Sequence, residues 1–154
     1  MQTLQEKFMS AAIAQAKLGE KYDEVPVGAV IVRDGKIIAR GRNHKEEKGC
    51  ANFHAEMVAI EKACKKLGDW RLNECQMYVT LEPCPMCAGA IINARVGKVF
   101  FGAYDQKAGC CGSVYNLGAN NEFNHKPEVL GGILQDECAT LLSEYFKKKR
   151  TKKC

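Results

Sequence analysis

One histidine and two cysteines, separated by thirty positions, constrain this chain more than anything else in it. His54-Ala55-Glu56 and Pro83-Cys84-Pro85-Met86-Cys87 together offer one imidazole and two thiols. A zinc ion takes such a set readily, and three protein ligands plus water is the pattern of a catalytic site rather than a structural one. The fold must therefore bring residue 54 beside residues 84–87. Glu56, two positions after the histidine, is the candidate proton carrier.

The pattern along the chain shows how this closure can happen. Leu4, Phe8, Met9, Ala12, Ile13 and Ala16 recur at helical spacing and predict a helix over 3–18, with Gly19 as its stop. A β-branched run at 27–32 and a second strand at 36–40 flank Asp34-Gly35, a two-residue hairpin signal. Residues 44–52 are expected to form a loop. Phe53, Met57, Ile60, Cys64 and Leu67 then mark a helical stripe that Gly68 ends. A third strand follows at 76–81, and Pro85 suits the first turn of another helix reaching about Ala94. A fourth strand is expected at 98–102, and 104–128 is irregular. A short fifth strand follows at 129–134. Cys138, Leu141, Leu142, Tyr145 and Phe146 place a last helix before a basic tail at 147–154.

A helix of about 13 residues travels roughly 20 Å, and the strand at 76–81 returns by about the same length. The start of the first and the end of the second thus share one sheet edge, where the helix at Pro85 also begins. Helix N-termini favour thiolate, the metal-binding form of cysteine. His44 and His125 are the remaining histidines, and either could complete a four-ligand structural site instead. A redox pair is the other reading of Cys84 and Cys87.

Composition narrows the class. A hydrophobic fraction of 46% and a charged fraction of 27% are ordinary for a globular protein, and no apolar run suggests a membrane span. The first nineteen residues lack the basic-then-apolar order of a secretion signal, so a cytoplasmic location is expected. Nine cysteines, an odd number, fit reduced thiols better than a disulfide framework. Apart from Cys84 and Cys87, they read as small core or surface residues. Lys147, Lys148, Lys149, Arg150, Lys152 and Lys153 more than account for the net charge of +5. They read as a solvated tail or as an arm for phosphate.

H-x-E followed by P-C-x-x-C is the signature of zinc nucleobase deaminases. Beyond it, the chain resembles the bacterial tRNA-specific adenosine deaminases of the TadA type, within the cytidine-deaminase-like superfamily. The resemblance rests on VPVGAV at 25–30, GRN at 41–43, YVTLEPC at 78–84, MCAGA at 86–90, FGAYD at 101–105, KAG at 107–109 and NH at 124–125, with the final helix. It implies a single deaminase domain over 1–154 with a three-layer α/β/α fold, a five-stranded mixed central sheet flanked by helices. It also implies one Zn2+ per subunit on His54, Cys84 and Cys87, with Glu56 catalytic. The expected reaction is hydrolytic conversion of adenosine to inosine at the wobble position of a tRNA anticodon. By the same resemblance Asn43 would bind the flipped base, with backbone contact from Ala55. Asp105 and Lys107 would handle the RNA strand, and Phe146 with the lysines after it would flank the anticodon stem-loop. The family works as a homodimer.

Two positions depart from the family pattern. Asn52-Phe53 stands where Thr-Ala is usual, so Phe53 either packs in the core or reshapes the pocket rim. Tyr104 replaces a residue that is often basic. Two rivals remain at this level. One is a deaminase of a free nucleobase or nucleotide, of guanine or cytosine type, which a lid made by the C-terminus would favour. The other is a non-catalytic, zinc-stabilised RNA-binding module, against which Glu56 argues.

Overall fold

Asp34 and Gly35 both adopt positive φ, 52° and 72°, the backbone that a two-residue hairpin with the natural strand twist demands. They join β1 (Gly28–Arg33) to β2 (Lys36–Arg42) in antiparallel register. The computed structural model describes residues 1–119 and 122–152. The remaining elements are α1 (Leu4–Glu20), α2 (Lys45–Lys48), α3 (Ala55–Leu67), β3 (Cys75–Leu81), α4 (Pro85–Asn93), β4 (Lys98–Ala103), β5 (Glu128–Gly131) and α5 (Gln135–Lys152). The strands form one sheet in the order β2-β1-β3-β4-β5. β1 is antiparallel to both neighbours, whereas β3, β4 and β5 run parallel.

Helices cover both faces. On one side Phe8, Met9, Ala12 and Ile13 of α1 and Cys138 of α5 pack on Val30, Val32, Tyr78 and Phe100. Tyr78 stacks on Phe100 with ring centroids 4.6 Å apart. On the other side Ala55, Ala59 and Ala63 of α3 and Ile91 of α4 pack on Ala29, Ile31, Met77, Val79 and Phe101. This is the three-layer arrangement with a mixed five-stranded sheet that the resemblance implied. Among the described residues, no helix is long and apolar enough to cross a membrane.

Several local expectations are corrected. The core face of α3 is Ala55, Glu56, Ala59 and Ala63, not the stripe of larger residues. Phe53, Met57, Ile60, Cys64 and Leu67 lie half-buried along its flank. The reason is close approach: a Cβ at Gly41 of β2 would stand 2.5 Å from the Ala55 carbonyl oxygen and 2.7 Å from the Ala59 nitrogen. Helix and strand backbones touch there, and only small side chains fit between them. Gly19 does not stop α1, which continues to Glu20 with Gly19 buried. Residues 44–52 contain the single-turn helix α2, ended by Gly49 at φ 59°. The fifth strand is shorter than expected, and the chain leaves the sheet after Gly131. The basic tail is largely not a tail: Lys147–Lys152 continues α5, where cations suit the helix C-terminus. Lys153 and Cys154 lie outside the described residues, as do Asn120 and Asn121 of the irregular stretch.

Gly41→Ala should force two backbones apart and lower stability by about 1–3 kcal/mol, as overpacking does. Gly89→Ala in α4, where an added Cβ meets nothing within 4 Å, should instead raise it by about 0.5–1 kcal/mol. Chemical denaturation of the two variants beside the parent checks both signs.

Candidate active site

His54 and Cys84 are the N-cap residues of α3 and α4, both with extended backbone, φ −79° and −76°. Because His54 stands just outside its helix, its direction is not tied to that of Glu56 by helical periodicity. Pro85 fills the first turn of α4, where its missing N–H costs no hydrogen bond. Cys87 follows one turn later. The His54 Nδ1 lies 3.6 Å from the Cys84 Sγ and 3.5 Å from the Cys87 Sγ. Among the described residues this trio is the group of side chains able to hold a metal ion. His44 instead meets Glu47 at 3.2 Å, and His125 bonds the Val96 carbonyl at 2.7 Å. All eight described cysteines are free thiols.

The electrostatics of the trio are asymmetric. The hydrogen bond from Cys87, followed by that with His54, holds the Cys84 thiol down at about 4. The same Cys84–Cys87 bond and burial push Cys87 up. The bond to Cys84 raises His54. Glu56 is 4% exposed, and burial lifts its carboxyl to about 7.

A cleft of about 210 Å³ opens in front of His54, Glu56 and Cys84, a size for one small ring system rather than a large ligand. Asn43, just past the end of β2, lines it. Its Oδ1 accepts from the Ala55 N–H at 2.9 Å, and its Nδ2 donates to the Val25 carbonyl at 3.2 Å. Asn43 and Ala55 are thus one hydrogen-bonded unit, with the Ala55 N–H already engaged. Asp105 also lines the cleft, and its Oδ1 accepts from the Lys107 and Ala108 N–H groups at 3.0 and 3.1 Å. Lys107 is exposed on the same turn and is not among the lining residues.

Phe146 is 42% exposed, edge-on to Tyr145 with centroids 5.4 Å apart, and so is not a core residue. The Tyr145 hydroxyl donates to the Asp23 carbonyl at 3.3 Å, and the Lys149 Nζ lies 3.7 Å from the Asp23 Oδ1. The basic end of α5 therefore docks one residue from the cleft wall at Glu24. Phe53 belongs neither to the core clusters nor to the cleft lining. With Cys50, Met57 and Ile60 it lines a separate shallow groove on the flank of α3.

Two residues that sequence reasoning passed over hold the cleft walls. Glu24 and Glu82 are each 1% exposed. Glu24 accepts from the N–H groups of Glu46 and Glu47 at 3.0 and 2.8 Å. Glu82 accepts from the N–H groups of Asp105, Cys111 and Ser113, each at 3.0 Å, and from the Ser113 hydroxyl. Burial would raise the Glu82 carboxyl, but these four bonds outweigh it and hold the carboxyl below its ordinary value. Position was a signal for Glu82 alone, which directly follows β3 and precedes Pro83; Glu24 lies in the link between α1 and β1 with no such mark.

Comparison with known proteins agrees with the geometry. A family profile described as MafB19-like deaminase matches residues 4–150. The tRNA-specific adenosine deaminase of Bacillus subtilis (strain 168) is 51% identical over 151 residues, 98% of this chain and 94% of the relative. A solved structure from work on A-to-I editing by tRNA:A34 deaminases at the wobble position of transfer RNA superposes with a TM-score of 0.85. It is 41% identical and covers 88% of this chain and 99% of that one. The structure of guanine deaminase from Bacillus subtilis is 34% identical with a TM-score of 0.64, covering 95% and 93%.

Replacing Glu82 by Gln turns one acceptor into a donor facing N–H groups. We expect a loss of about 2–4 kcal/mol at neutral pH. Because the folded pKa is depressed, the wild-type advantage is complete above the usual carboxylate range. It narrows as pH falls through the lower folded value. Denaturation of both proteins at pH 7 and below about pH 4 measures the gap.

Proposed function

The chain belongs to the MafB19-like deaminases and to the tRNA-specific adenosine deaminases, and from that membership we propose that it converts adenosine to inosine by hydrolysis at the wobble position of tRNA anticodons. The observation that carries the proposal is the trio of His54, Cys84 and Cys87 opening, with buried Glu56, onto a cleft the size of one base.

The trio fits zinc, which we take as the resident ion, one per chain. Tetrahedral bonds of about 2.3 Å to sulfur and 2.0–2.1 Å to nitrogen imply N···S edges of about 3.6 Å. The two separations here are 3.6 and 3.5 Å. When bound, zinc supplies the acidity that makes water a nucleophile at neutral pH. Glu56, with its carboxyl near 7, is matched to accept the proton of the attacking water, deliver it to the ring nitrogen and assist the departure of ammonia. Asn43 keeps a second Nδ2 hydrogen for the base after its bond to Val25. Ala55 backs that amide, and Asp105 also lines the cleft.

Lys107, Phe146 and the lysines of α5 lie outside the cleft, where an anticodon stem-loop would run. An anticodon loop presents unpaired bases, so one can enter at modest cost. Among the described residues no part of α5 lines the cleft, which argues against a C-terminal lid and hence against a free-base deaminase. The same reading includes one deaminase domain, a homodimer and a cytoplasmic location. The half-buried apolar groove of Phe53, Met57 and Ile60 is a surface suited to a second copy.

Incubation with deacylated tRNA carrying wobble adenosine, beside free guanine, adenosine and cytidine nucleotides, tests the proposal. Inosine should form in the tRNA alone. Turnover of a free base with none on tRNA would reverse the assignment. Glu56→Ala should lower turnover about 10²–10⁴-fold while retaining one metal per chain, whereas His54→Ala should lose the metal.

A further inference from the structure

The cleft is acidic, which is awkward for a polyanionic substrate. Among the described lining residues Glu24, Glu46, Glu56, Glu82 and Asp105 are carboxylic, and Lys45 is the single lysine or arginine. Three of the five carboxylates are occupied by backbone N–H groups: Glu24 through α2, Glu82 through the loop from Asp105, and Asp105 through its own turn. Glu46 is exposed at the rim, where the charge of Lys149 acts on the same neighbourhood.

Lys45 is placed differently. It is exposed at the start of α2, and no ion pair or side-chain hydrogen bond of its ammonium is recorded among the described residues. The acid that could neutralise it two positions on, Glu47, is taken by the Arg42 guanidinium at 2.6 Å and by His44. Arg42 is itself fixed over the Tyr22 ring at 4.4 Å. The position of α2, and so of Lys45, is set from below by Glu24, whose two oxygens each take one N–H of that turn. A cation that no described residue pairs is thus held at the edge of a pocket whose carboxylate lining repels phosphate.

We propose that Lys45 contacts a phosphodiester next to the target nucleoside, and that Glu24 is the positioning residue that holds it there. This rests on the RNA reading above. It gives the cleft a division of labour: the neutral base enters, while the backbone charge is stopped and held at the rim. A flexible loop cation could contact many phosphates with little geometric demand. One fixed on a stapled helical turn favours a strand that turns its base inward at that point.

The test uses the zinc-loaded protein and an anticodon stem-loop RNA with wobble adenosine, with kcat and KM measured across a salt series. For Lys45→Ala the apparent affinity at low salt should fall several-fold, carried by KM. The slope of log affinity against log salt should become shallower by about 0.7, the value for one phosphate on a single strand. Lys45→Arg should restore the slope. Glu24→Gln should flatten it as Lys45→Ala does, and the double variant should be no flatter than either single one. A Glu24 that merely supports the fold would lower thermal stability and leave the slope alone. An active wild type whose slope is unchanged by Lys45→Ala overturns the contact by itself. A wild type without turnover on the RNA overturns the functional reading and the contact with it.

Discussion

The contact on which the site depends is between backbones. Gly41 of β2 meets α3 at Ala55 and Ala59 with no side chain able to intervene. That contact fixes how deep α3 sits on the sheet, and hence where its N-cap, His54, stands against Cys84 and Cys87. It recurs on the opposite face, where a Cβ at Gly28 would strike the Ala12 carbonyl at 2.0 Å. Both glycines belong to the first hairpin, so β1 and β2 act as the plate against which two helices are levelled. Metal-site precision of a few tenths of an ångström requires such rigid backing more than it requires bulk in the core.

A second layer of control comes from carboxylates that do not react. Glu24 and Glu82 both line the cleft, and each gathers backbone N–H groups from a segment without long secondary structure of its own. A buried carboxylate satisfied in this way is anchored, and at Glu82 the same bonds favour the ionised form, so it can line the cleft with Glu56 without taking up a proton there. Irregular loops can then form the walls of a pocket while keeping fixed positions. Loop walls tolerate changes in sequence more readily than strands do, which suits a scaffold that serves both adenosine and guanine deaminases among its relatives.

Much of this was legible in the chain itself. The hairpin, the succession of strands and helices along the chain and the convergence of two helix starts followed from periodicity and turn residues, because those signals are local. The convergence of His54 on Cys84 and Cys87 was legible because the two cysteines carry their own spacing and α4 carries its own starting proline. The face of α3 was not. Its stripe of large residues obeys helical periodicity, yet the packing selected the alanines, since the depth of a helix on a sheet is set by the strand beneath it. Glu24 and Glu82 were also hidden, because an acidic residue bonded to distant N–H groups looks like a surface charge until the loops are folded. Phe53 shows a third kind of limit: its neighbour in sequence belongs to the trio able to hold a metal ion, but the two face different surfaces, His54 the cleft and Phe53 the flank of α3.

That Lys147–Lys152 continues α5 gives the cations a phase. On a loose tail, charge is a matter of number and reach, and an added residue changes little. On a helix each added residue turns everything beyond it by about 100°. Lys149 stands over Asp23 and Tyr145 because it lies four positions from Tyr145, on the same side. The remaining cations of α5 are directed by that docking as numerals on a dial are set by one fixed hour. Their orientation is therefore written in the interior, at Cys138 and Tyr145, well before the charges begin.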